Sequence, residues 1–121
     1  MDIKPDYAEE YHNFVTEYKL TEVSPEEVGA MIIRMGNYYI AYNLRFAAAI
    51  KSFSHIRQTI MSQADPLTGK AITASKADAE ADATTEADVY HTMKIHVDNL
   101  NQTIQALKSL QRAVQQESGL S

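Results

Sequence analysis

Ten apolar positions in the middle of the chain hold a heptad phase without a slip. Val28, Ile32, Met35, Tyr39, Tyr42, Phe46, Ala49, Phe53, Ile56 and Ile60 follow one another at alternating steps of four and three residues. Such steps return to one side of a 3.6-residue helix, so the segment reads as a single long helix with a continuous apolar seam. From Val28 to Ala64 there is no Asp or Glu, whereas Arg34, Arg45, Lys51 and Arg57 all fall there. A wide apolar face with cations and no anions calls for burial against other helices. Its arginines call for neutralising groups from elsewhere.

Those groups lie to either side. Residues 1–27 carry a net charge of −6, residues 28–64 carry +4, residues 65–98 carry −4 and residues 99–121 carry +1, giving −5 for the 121-residue chain. An acidic total argues against a general nucleic-acid coat, because Lys and Arg neutralising phosphate supply most non-specific affinity. Cysteine is absent, which excludes disulfides and thiolate metal sites. Asp2, Lys4, Asp6, Glu9 and Glu10 crowd the first ten residues, so no signal h-region is read there. The longest uncharged stretch, Met35 to Leu44, is far short of a membrane span. The expected location is cytoplasmic.

Four pieces follow from the punctuation. Tyr7, Tyr11, Phe14, Val15 and Tyr18 form one stripe of a short helix over 6–19. Ser24-Pro25-Glu26-Glu27 combines an N-cap serine, proline at the first helical position and a capping-box glutamate, opening a long helix over 25–63. Asp65-Pro66 ends it, and 65–74 is a turn-rich loop. Ser75 then reads as the N-cap of a last helix over 76–116, with Asp78 in the capping-box position and Gly119 as a stop. Its seam runs through Tyr90, Met93, Val97, Leu100, Ile104 and Leu107 before slipping to Leu110 and Val114.

The expected fold is all-α: an antiparallel hairpin of two long helices with a short amino-terminal helix, in one domain. The middle helix has a second apolar stripe of Met31, Ile33, Tyr38, Ile40, Ala41, Leu44, Ala47, Ala48 and Ile50. One partner helix cannot cover both stripes. Packing into a helical-bundle homo-oligomer, a dimer or higher, is therefore expected.

No catalytic constellation stands out, and no cofactor is implied. Glu9-x-x-His12 and Asp88-x-x-His91 have the spacing of carboxylate-bridged metal sites, but the single glutamates such bundles need are missing from the middle helix after Glu27. A metalloenzyme is the least favoured reading. His91 and His96 are about 140° apart on a helix and do not form a ligand pair. His55 stands beside Lys51 and Arg57 in a basic patch, and Thr68-Gly69-Lys70 lacks the rest of a P-loop.

The better candidate is an anion site. Arg34, Tyr38, Ala41 and Arg45 fall on one strip, flanked by Asn37 and Tyr42. Arginine offers a planar donor fork for phosphate or carboxylate, and tyrosine a ring face for a base. Lys70, with hydroxyls and a helix start close by in sequence, adds a second anion-binding corner. The alternative use of both arginines is pairing with Glu9, Glu10, Glu17 or the acids at 78–88 across a subunit interface.

The run from Gly69 to Ala81, GKAITASKADAEA, together with the Leu/Gln-rich run Leu100–Gln111, resembles short all-helical accessory proteins of tailed bacteriophages. The likeness is one of pattern over residues 28–115 and carries over no functional residue. It implies a phage or mobile-element origin, and a protein that accompanies recombination genes or counters host defence by binding a protein or a nucleotide signal. The leading expectation is a non-enzymatic binding protein that sequesters a small anionic or nucleotide ligand, or else a host protein. The alternative is an accessory of phage DNA recombination or replication acting by protein–protein contact.

Overall fold

In a computed structural model the chain is all-helical: α1 (Tyr7–Leu20), α2 (Pro25–Met61), α3 (Ala74–Asp82) and α4 (Thr85–Glu117). The structure describes residues 7–20 and 23–117, without the side chains of residues 18–20. The expected helix start at Asp6, the Tyr18 stripe position and the Gly119 stop lie outside the described residues. The chain divides into two compact units, Met1–Ala41 with Val97–Ser121, and Tyr42–His96.

The first unit holds α1, the start of α2 and most of α4. Ser24 opens α2 as its sequence suggests. The backbone N–H of Glu27 donates to the Ser24 Oγ at 3.2 Å, which satisfies one of the donors a helix start leaves open. The core is Tyr7, Val28, Met35, Val97, Leu100, Leu107 and Val114, all buried. Ile32 and Tyr39 complete the α2 seam as half-buried residues. The Gln111 side-chain amide donates to the Pro25 carbonyl at 3.2 Å, tying α4 to the first residue of α2. A carbonyl there belongs to the helix ladder, so the bond costs α2 nothing in register.

The second unit is built on aromatic rings. Phe46 and Phe53 of α2 lie 5.5 and 5.2 Å, centroid to centroid, from Tyr90 of α4. Tyr42 lies 4.9 Å from His96. Buried alanines, Ala49 of α2, Ala77 and Ala81 of α3 and Ala87 of α4, fill the rest, letting helices approach where a larger side chain would hold them apart. All ten seam positions of α2 are buried or half-buried across the two units.

Asp65 organises the connection after α2. Its carboxylate accepts from the backbone N–H of Leu67 at 2.9 Å and from the Lys76 ammonium at 3.0 Å. Its backbone N–H donates to the Lys70 carbonyl at 2.6 Å, and the N–H of Gly69 donates to the Asp65 carbonyl at 2.7 Å. Gly69 has φ of 69°, the left-handed region where a side chain is strained and glycine is not.

Three sequence expectations need correction. α2 ends at Met61, two residues before the expected boundary. Thr73, not Ser75, caps the next helix: its side chain accepts from the N–H of Lys76, and the helix begins at Ala74. That shift removes Asp78 from the capping-box position, and its carboxylate pairs with Arg57 instead. The expected single helix over 76–116 is two helices, interrupted at Ala83 and Thr84. The Thr84 hydroxyl donates to the Ala81 carbonyl at 2.6 Å and accepts from the Ala87 N–H at 3.3 Å. It thereby closes one helix and caps the next, a side-chain alternative to the backbone ladder.

Candidate functional site

The expected anion strip is divided between the two units. In the first, the guanidinium of Arg34 pairs with Glu10 of α1 in the same chain, so the pairing expected across a subunit interface is made within the chain. The hydrogen bond to Glu10 and its negative charge hold Arg34 protonated more firmly than usual. The other Glu10 oxygen, Oε2, is buried with no hydrogen-bond partner among the described residues. Tyr38 is half-buried with its ring 6.1 Å from that of Tyr7. Asn37 is exposed.

In the second unit, Tyr42 is a core residue, 2 % exposed, with its ring against His96. It cannot offer a face to a ligand. That outcome follows from its seam position: the residue that completes the heptad goes inward. Lys70 is exposed in the loop, where its backbone is held by Thr68 and Asp65.

Arg45 has a different setting. It lines a cleft of about 370 Å³ in the second unit together with Ala48, Ala49 and Ser52 of α2 and Thr85, Glu86, Val89 and Met93 of α4. Heptad geometry explains the lining. Arg45, Ala48, Ala49 and Ser52 span about two turns of α2, Ala49 in the seam and the others beside it. The alanines leave room that a leucine would occupy. Glu86, Val89 and Met93 succeed one another at steps of three and four on α4 and present a matching stripe.

Thr85 and Glu86 stand in the first turn of α4, where backbone N–H groups lack helical acceptors and the positive end of the helix dipole is directed. The alanines, Val89 and Met93 make the lining of the cleft largely apolar, with Ala48 and Val89 exposed. The rest of the lining is a cation, two hydroxyls and one carboxylate. Sequence reading found Arg45 but missed its companions. Ser52, Thr85 and Met93 carry no motif, and only the meeting of α2 with α4 brings them together.

Among the described residues no three His, Asp or Glu side chains gather in a way that could hold a metal ion. His91 lies against Phe53 and Tyr90, and His55 is exposed. No helix of the described residues is long and apolar enough to cross a membrane. No protein-family model matches the chain, and no curated protein or solved structure matches it either.

Proposed function

We propose that this chain is a non-enzymatic binding protein that works as a homo-oligomer of helical hairpins and captures a small anionic ligand, in its concrete form a nucleotide, in the cleft beside Arg45. One observation carries the reading: a cleft whose largely apolar lining also holds an arginine and the first turn of a helix. Pockets of a few hundred Å³ that combine an apolar lining with a few convergent polar groups are the usual form of a small-molecule site. The guanidinium supplies a donor fork for a phosphate, and the first turn of α4 favours the same negative charge. Met93 and Val89 offer a polarisable, apolar seat for a ring.

Glu86 limits the choice. Its carboxylate in the same lining opposes a second and third negative charge, so phosphodiesters and monophosphates suit the cleft better than triphosphates. Cyclic nucleotides, with one charge per phosphate, fit that limit best. Sequestering a nucleotide signal is the physiological role that such a site serves in a phage-type counter-defence protein.

Thermal unfolding with a panel of nucleoside monophosphates, triphosphates and cyclic nucleotides tests the reading. Ligand at a hundred times its Kd stabilises the folded state by about 2.7 kcal/mol. A shift for a cyclic nucleotide that is absent in Arg45→Gln is the expected result. No shift with any of the panel, or an equal shift in Arg45→Gln, removes the ligand.

A further inference from the structure

α2 carries a second heptad repeat, on the side away from its buried seam. Positions 26, 30, 33, 37, 40, 44, 47 and 51 follow at steps of four and three, and all eight are exposed. Ile33, Ile40 and Leu44 are 67 %, 60 % and 69 % exposed, on a helix that runs unbroken from Pro25 to Met61. Three exposed large aliphatics in one row are what a helix presents to another helix. The question is which helix covers it.

The pattern answers by its own symmetry. Reversed end to end, the row meets itself in four pairs. Glu26 falls opposite Lys51, Ala30 opposite Ala47, Ile33 opposite Leu44, and Asn37 opposite Ile40. Every pair is centred midway between residues 38 and 39. In heptad terms each a position meets a d position of the reversed copy, the pairing of antiparallel coiled coils. Ala30 and Ala47 set small against small, Ile33 and Leu44 set large against large, Asn37 and Ile40 set an amide against an aliphatic, and an acid meets a base at both ends. Among the described residues neither Glu26 nor Lys51 has an ion-pair partner. A parallel arrangement in register would set Glu26 against Glu26 and Lys51 against Lys51, like charges at both ends.

The flank is consistent with a close neighbour. Gly36 borders the row, and among the described residues nothing stands within 4 Å of where its Cβ would be. Glycine inside a helix costs about 1 kcal/mol relative to alanine, and nothing among the described residues makes use of the missing side chain. A second helix approaching that edge does.

We infer that the exposed face of α2 binds the same face of α2 in a second copy of this chain, antiparallel, about a two-fold axis between residues 38 and 39. The contact is isologous, so each copy contributes the same residues and the pair closes on itself. It rests on the oligomer in the reading above and specifies its interface. It is independent of what the Arg45 cleft holds.

The chain has no cysteine, so single cysteines report cleanly. Glu26→Cys and Lys51→Cys are mixed in urea, refolded together and treated with a short bis-maleimide. Residues 26 and 51 are about 37 Å apart along one helix, so in the antiparallel pair only the mixed cross-link forms. The expected result is covalent dimer from the mixture and none from either variant alone. Dimer from either variant alone, or none from the mixture, overturns the arrangement. Light scattering gives the second readout. The wild-type chain runs as at least two copies, Ile40→Glu loses half that mass or more with its helical circular dichroism unchanged, and Ile95→Glu, 58 % exposed on α4, keeps the wild-type mass. A monomeric wild type, or equal behaviour of the two glutamate variants, overturns the interface and leaves the nucleotide panel to decide the cleft separately.

Discussion

Leu100→Ala tests where the stability of the first unit resides. Leu100 of α4 is fully buried, 0 % exposed, while Ile95 on the same helix is mostly exposed. Truncation at 100 removes three carbons, worth about 2.4 kcal/mol at about 0.8 kcal/mol per buried carbon. It also leaves a cavity, and at 24 cal/mol per Å³ a hole of roughly 50 Å³ adds about 1.2 kcal/mol. The expected loss is therefore about 3.5 kcal/mol, a large part of the stability of any small domain. Ile95→Ala, removing the same kind of side chain from a solvated position, should stay within about 0.5 kcal/mol. Urea unfolding followed by circular dichroism, at one protein concentration because association shifts the midpoint, gives both numbers. A loss below about 1.5 kcal/mol at Leu100, or an equal loss at Ile95, would refute the assignment of core and surface on α4.

Three more outcomes are expected. Asp65 is held below the usual carboxylate range by the Leu67 N–H and then by the Lys76 ammonium. Its stabilisation is therefore present above the unfolded value of about 3.9 and fades as pH falls through the lower folded value. Urea midpoints should show Asp65→Asn clearly weaker than wild type at neutral pH, with the gap closing in acid; a gap that widens in acid contradicts the hydrogen-bond assignment. Thr73→Ala should cost about 1 kcal/mol by loss of the N-cap, with Ser75→Ala nearly neutral, read from the same unfolding curves; the reverse order would restore Ser75 as the cap. Arg34→Ala, which breaks an exposed ion pair with Glu10, should lower stability slightly, and by less in high salt, without altering any nucleotide response. Loss of that response in Arg34→Ala would return the site to the first unit.

The regular parts of this fold are legible from spacing alone. The α2 seam, the Ser24 start and the α4 seam through Leu107 all come from periodicity and capping chemistry, which act over one or two turns. The break at Thr84 escaped because the segment around it is alanine-rich with no Gly or Pro, and helix propensity there outweighs the visible signal. Two adjacent threonines followed by Glu86 and Asp88 were that signal: hydroxyls that can cap, then acids in the first turn. Ser75 and Thr73 are both capping residue types two positions apart, so local sequence does not separate them; the fold places the Thr73 hydroxyl on the Lys76 N–H. The partner of Arg34 is 24 residues away in sequence, and no local pattern points to Glu10 over Glu9 or Glu17. Tyr42 shows the opposite failing. Its seam position already placed it in the core, and the strip reading assigned the same ring to solvent.

The binding role of the Arg45 cleft is tested most directly by methyl NMR. With the methionine methyls labelled, a cyclic nucleotide titrated into the protein should move the Met93 signal along a saturable curve, while Met35, buried in the first unit, stays in place. A Met93 signal unmoved at millimolar ligand, or one that moves only as much as Met35, would contradict the account.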